Sequence, residues 1–225
     1  MNWFRSFWDS TIGKKIVMAV TGLIGIGFVI GHMLGNLQAF EGAEKINAYG
    51  RFLHHTVGNE LWIVRIVLIL AVVLHVVAAV QLVRRSNAAR PADYARRRAP
   101  QVSTWASRTI RWGGLLLLVF IVVHVMHFTT RSFPGYDRMD PAGGVDVYTN
   151  LITAFSNPWW VLFYVVAMAA LALHLYHGAW SSIRTLGASQ PSAHPLRRVL
   201  PLLIAIVVAG GFVIIPLAVL FGVLR

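Results

Sequence analysis

Nine histidines are present. Six of them stand inside long apolar runs: His32, His75, the pair His124 and His127 in HVMHF, and the pair His174 and His177 in HLYHGAW. His54, His55 and His194 fall between the runs. A polar residue at membrane depth is rare, and usually serves a function. A lone imidazole there can be a packed, hydrogen-bonded residue, but one in each of four successive runs needs a further reason. Neutral imidazoles bind iron, copper or zinc through one nitrogen and donate from the other. The chain has no cysteine, which excludes disulfides, iron–sulfur ligation and thiolate chemistry.

The elements that must carry these histidines follow from composition. Of 225 residues, 57% are hydrophobic and 12% charged, with a mean hydropathy of +0.65. A soluble domain of this size would carry about twice that charge. Five runs reach the length of about 20 residues that a helix needs to cross the hydrocarbon core. They lie near 16–38, 61–83, 110–130, 158–182 and 199–223. Lipid leaves backbone groups no partner but their own helix, so even IVVAGGFVII must be helical. The chain is therefore expected to be one all-α transmembrane domain, 1–225, in a multi-pass arrangement. The stretch MNWFRSFWDSTIGKK has charges and aromatics where a signal peptide needs an apolar core, and is expected to form a short interfacial helix.

The net charge of +12 is distributed in blocks. Arg5, Lys14 and Lys15, the 84–111 loop and the 184–198 loop hold 14 of the 20 basic residues, and six of the eight acidic ones lie on the other side. That pattern is topological and gives no footprint for nucleic acid. It places the N-terminus in the cytoplasm and the C-terminus outside. Trp62, Trp105, Trp112, Trp159, Trp160 and Trp180 fall near span ends, as interfacial anchors do. Gly27, Gly31 and Gly35 repeat every four residues in the first span. They predict close helix packing, room on one face for a flat ligand, or both together.

Depth sorts the histidines. At about 1.5 Å per residue, His32 and His124 each lie about 9 Å inside the outer boundary, and His75 and His174 about 14–15 Å inside the inner one. Two depth-matched pairs suit two bis-histidine haems stacked across the bilayer, whereas a zinc cage would need its ligands at one depth. His127 and His177 each lie one turn beyond a neighbour, rotated by about 60°. Either could replace that neighbour on geometry alone.

With these motifs together, the chain resembles a known family. GHMLGNLQAFEGAEKINAYGRFLHH after the first span, HVMHF in the third and HLYHGAWSS in the fourth are similar to the succinate dehydrogenase cytochrome b558 subunit, the five-helix, di-haem membrane anchor of complex II. The resemblance covers nearly the whole chain. It implies five transmembrane helices bundled around two stacked haems b, with His32 and His124 as axial ligands of the outer haem and His75 and His174 of the inner. The family pattern His-x-x-x-Gly-x-Trp-Ser selects His174 over His177, with Gly178 and Trp180 in register. It implies a flavoprotein and an iron–sulfur subunit on the cytoplasmic face, a place in the tricarboxylic acid cycle and a quinone acceptor, commonly menaquinone. The basic 84–111 loop could dock those subunits or attract anionic lipid.

Quinone reduction needs a groove with hydrogen-bond donors. On the outer side the residues able to supply them are Asn36, Gln38, Asn47, Tyr49, His54, His55, Glu60 and Arg65; on the inner side they are Ser107, Arg108, Arg111, Trp112, Ser181 and Arg184. The residues also leave room for a fumarate reductase anchor, for a cytochrome b of a nitrate reductase, formate dehydrogenase or hydrogenase, and for a haem-free transporter or proton channel.

Overall fold

The computed structural model describes residues 2–89, 105–188 and 196–225. The expectations for Arg90, Arg96, Arg97, Arg98 and His194 lie outside the described residues, as does the side chain of His55. Among the described residues eight α-helices follow in order: α1 (Trp3–Asp9), α2 (Thr11–Leu37), α3 (Ala43–Arg51), α4 (Gly58–Ala88), α5 (Trp105–His124), α6 (Val147–Phe155), α7 (Pro158–Thr185) and α8 (Leu196–Leu220). Five of them, α2, α4, α5, α7 and α8, are long and apolar enough to cross a membrane. Among the described residues there is no strand, only an isolated bridge between Met139 and Val145. This is a multi-pass, all-helical membrane architecture.

The spanning helices start or end beyond the apolar runs, chiefly on the α1 side. Arg84 and Arg85 sit on α4, and Arg108 and Arg111 on α5, rather than in a loop. Helix satisfies the backbone whether its surroundings are lipid or water, so nothing stops it at the hydrocarbon edge, and long basic side chains reach out to water. Ser10 sets the start of α2: its Oγ accepts from the Gly13 N–H at 2.8 Å. A Cβ at Gly13 would lie 1.9 Å from the Phe7 carbonyl oxygen, so only glycine allows α1 to fold back this closely. Trp3 and Phe4 on α1 stay exposed, as an interfacial helix requires.

The expected outer loops contain short helices. After α2 the chain makes a 3-10 turn (Gln38–Glu41), then α3, then a π-helical turn (Phe52–Thr56), so His54 and the backbone of His55 are helical rather than in a loop. α6 occupies the 131–157 connection. Asn47 ties the two short helices together. Its Nδ2 donates to Asp146 Oδ1 at 3.1 Å, and its Oδ1 accepts from the Tyr148 N–H at 3.0 Å. Arg51 pairs with Asp140 and with Glu44, which adds a charged clamp. Beneath them Ile46, Leu151, Ala154, Phe155, Tyr164 and Val219 form an apolar core that caps this end of the bundle.

Asp146 is the N-cap of α6, accepting from the Thr149 N–H at 2.9 Å. Burial pushes its carboxyl up, but the hydrogen bonds from Thr149 and Asn47 and the charge of Arg138 outweigh burial and hold it below the usual carboxylate range. A depressed pKa means the stabilisation is present above the unfolded value of about 3.9 and is lost as pH falls through the folded one. Asp146→Ala is expected to cost about 1 kcal/mol. Asp146→Asn should keep the cap and remove its share of the acid-side loss. Thermal unfolding of the purified protein across that pH range checks both.

The spanning helices pack unequally. α7 lies against α8, α5 and α2, while α2 also contacts α4 and α8. The pairs α2–α5 and α4–α7 are not among the closely packed ones. α8 carries Pro201 and Pro216 without leaving the helix, and Gly211 lets it approach Met33 of α2.

Candidate functional site

The two loosely packed helix pairs are the ones the histidines join. His32 on α2 faces His124 at the end of α5, with ring centroids 5.7 Å apart and planes at 80°. His75 on α4 faces His174 on α7 at 6.1 Å and 50°. A metal–imidazole bond of about 2 Å and a ring radius of about 1 Å place two trans imidazole centroids about 6 Å apart. Both centroid separations are close to that spacing. Among the described residues no three His, Cys, Asp or Glu side chains converge, so the donors come as pairs and not as a cage.

The walls suit a flat apolar group. Phe28 stacks on His32 at 5.4 Å and 10°, Phe120 on His124 at 5.5 Å and 25°, and Phe212 lies 5.8 Å from His32. Gly27 and Gly31 corrected one of the two expectations for the glycine row. A Cβ at either would meet nothing within 4 Å, so they are not sites of close helix packing. Gly35 is tight, but against the Tyr49 ring of α3. At the other pair a Cβ on Gly22 would lie 3.5 Å from His75 Cε1 and 3.9 Å from Ser182 Oγ, and one on Gly114 would lie 3.9 Å from His174 Cε1.

Hydrogen bonds select ring tautomers. The Thr21 hydroxyl donates to the Val17 carbonyl at 2.7 Å, so its oxygen is left to accept from His75 Nδ1–H at 3.1 Å. This leaves the lone pair of His75 on Nε2, the form a metal takes. Asn36 Nδ2 lies 3.3 Å from His32 Nε2, one turn along α2, and would have to swing aside for ligation through that nitrogen. His174 Nδ1 is buried with no hydrogen-bond partner in the protein, a group that calls for one.

The second histidines of each motif diverge. α5 ends at His124 and the chain continues as a π-helical turn, Val125–Thr129. The wider turn rotates His127 away from the phase an α-helix would give. It is fully buried in a box of aromatic rings, with Trp160 at 4.2 Å, Tyr136 at 4.4 Å and Phe128 at 4.5 Å. Trp160, half-buried, is thus also a packing partner of His127. Trp62, Trp105, Trp112 and Trp159 remain exposed. The Tyr164 hydroxyl sits between His127 Nδ1 (3.2 Å) and His124 Nδ1 (3.3 Å). Sequence spacing gave no hint of Tyr164, because its role arises from the α5–α7 contact.

His177 lines a different feature, a cavity of about 330 Å³ at the α1 end, with Ser107, Trp180, Ser181, Arg184, Lys15 and Arg198 on its walls. The guanidiniums of Arg184 and Arg198 lie 5.8 and 5.6 Å from the Trp180 ring. Among the described residues no carboxylate pairs with Lys15, Arg184 or Arg198, so the basic groups these residues bring to the cavity suit an anionic group. It gathers Ser107, Ser181 and Arg184, three of the residues expected on the inner side.

The other expected quinone-site residues are scattered. Gln38 starts the 3-10 turn, His54 is exposed on the π-helical turn, Arg65 stacks on Trp62 at 4.8 Å, and Trp112 is 77% exposed. None of them lines this cavity or the smaller one described below. Asn47 has its amide committed to α6, and Glu60 is exposed in the first turn of α4, where its charge favours the helix N-terminus. Comparison of the chain with protein-family models, with curated proteins and with solved structures found no match.

Proposed function

We propose that this chain is the membrane-anchor cytochrome b subunit of a succinate:quinone oxidoreductase in the cell membrane. His32 and His124 would hold one haem b, and His75 and His174 the other. The observation that carries this reading is the two histidine pairs, 5.7 and 6.1 Å between centroids, each bridging two helices that do not otherwise pack closely. The motif resemblance adds the complex: a flavoprotein and an iron–sulfur subunit on the basic, cytoplasmic face, and a quinone, commonly menaquinone, as acceptor.

When bound, the two haems supply one-electron transfer across the membrane. The chain's own residues bind and orient. Phe28, Phe120 and Phe212 line the His32–His124 gap with apolar surface and exclude water. Thr21 keeps the proton of His75 on Nδ1. Lys15, Arg184 and Arg198 line the inner cavity and would offset the negative charge of an anionic group such as a haem carboxylate. Thr21→Val keeps the shape and removes the acceptor. It is expected to weaken binding of the inner haem about 10–100-fold, the usual effect of losing a partner of a ligating histidine. Haem titration of the purified variant measures this.

The reading is tested in membranes that contain the assembled complex. Succinate should reduce a b-type haem absorption, and a quinone should reoxidise it. Reduction by formate or hydrogen but not by succinate would assign the chain to another quinone-linked complex. A colourless purified protein would leave the haem-free transporter or channel.

A further inference from the structure

At the α6 end, three buried polar atoms have no protein partner: His127 Nε2, Arg131 Nη1 and Asn150 Oδ1. Their three residues line one small cavity of about 50 Å³, together with Phe128, Tyr136, Val145 and Val147. His127 is 0% and Asn150 3% exposed. Arg131 stands in the left-handed region at φ 52°, a conformation that non-glycine residues hold only where the surroundings require it. A buried polar atom without a partner is costly, and three around one space indicate a shared partner.

The size and the donor set limit what that partner is. The space is large enough for a water molecule and far too small for a quinone or a lipid head group. Arg131 supplies a donor and a positive charge, which excludes a cation. Asn150 Oδ1 is an acceptor, because its Nδ2 donates to the Arg138 carbonyl at 3.3 Å. A bound anion would face that acceptor.

The type of His127 Nε2 follows from the chain of contacts behind it, and this step rests on the proposed function. If His124 ligates iron through Nε2, its Nδ1 carries the proton and donates to the Tyr164 oxygen at 3.3 Å. Tyr164 has one proton, which then goes to His127 Nδ1 at 3.2 Å. Neutral His127 keeps its own proton on Nε2, at the cavity. Two donors and one acceptor therefore meet there, and a water accepts both and donates to the third.

We propose that this cavity binds one ordered water, bridging His127, Arg131 and Asn150, and that the water ends a hydrogen-bond chain His124→Tyr164→His127→water. Tyr164 is the positioning residue of that chain. It holds the proton of His124 on Nδ1 and leaves Nε2 for the metal. An acceptor on Nδ1 makes the imidazole a stronger donor to ferric iron and lowers the potential of the haem it holds.

Two measurements on the full-length protein test the proposal. The first is an experimental structure at a resolution that shows ordered water. Density for a single water within hydrogen-bonding distance of His127 Nε2, Arg131 Nη1 and Asn150 Oδ1 is expected. An empty cavity, or density that avoids Asn150, overturns the site. The second is the midpoint potential of each haem in the unaltered protein, in Tyr164→Phe, in His127→Phe and in the double variant. A rise of the outer potential and a weaker hold on the outer haem in Tyr164→Phe, a smaller rise of that potential in His127→Phe and no further rise in the double variant are expected, with the inner potential unchanged. An unmoved outer potential in Tyr164→Phe, or additive effects in the double variant, overturns the chain. A protein that binds no haem overturns the proposed function and the polarity drawn from it, while the density still decides the water site.

Discussion

Replacing His32 or His124 by alanine is expected to remove one haem of two and to leave the other in place, and replacing His75 or His174 should do the converse. Each pair bridges two helices across a gap, so an alanine takes away half of one ligand set without touching the second pair. His127→Ala and His177→Ala should each retain two haems. His127 is enclosed by Trp160, Tyr136 and Phe128, and His177 lines the polar cavity at the α1 end. His127→Ala would still open a void in the aromatic box, at a cost of the order of 2–5 kcal/mol by analogy with other large-to-small core changes. Haem content per polypeptide, read alongside the unfolding temperature, separates lost ligation from lost stability. Loss of a haem in the folded His127→Ala protein, with retention in His124→Ala, would reverse the assignment.

Gly22→Leu is expected to abolish the inner haem and spare the outer. A Cβ at Gly22 already meets His75 Cε1 at 3.5 Å and Ser182 Oγ at 3.9 Å. A full leucine side chain must push the His75 ring away from Thr21 and from His174. Gly22 is on the same helix as His32 but ten residues earlier, about 15 Å along the axis. The outer pair should not feel the change. Spectra that show both haems in Gly22→Leu would mean that the inner gap lies elsewhere.

The spans were legible because lipid allows one solution for the backbone, and an apolar run of 20 residues announces it. Their ends were not, since Arg84, Arg85, Arg108 and Arg111 continue the helices past the hydrocarbon with no signal to stop. The short helices were missed although signals existed. Asp146 followed by VYTNLITAF is a cap before an apolar stripe, with Leu151, Ala154 and Phe155 buried in the structure. The 43–51 stretch has Gly42 at φ 102° before it and Ile46 and Asn47 buried within it. Depth arithmetic was enough to match His32 with His124 and His75 with His174, because rise per residue is fixed in a helix. Rotation was not, because a π-helical turn after His124 changes the phase and no spacing rule reveals it. Tyr164, Trp160 and Asn150 join the outer end only through contacts between distant parts of the chain. The glycine row illustrates the same limit: the spacing allowed packing or space, and only neighbouring atoms decided for space at Gly27 and Gly31.

The claim beneath all of this is that two imidazole pairs each hold one haem. The most direct measurement is the haem-to-polypeptide ratio of the purified chain, together with the electron paramagnetic resonance spectrum of the oxidised form. Two haems b per chain, both low-spin with two nitrogen axial ligands, is the result the account predicts. A ratio of one, a high-spin signal from an open axial position, or no haem at all would contradict it.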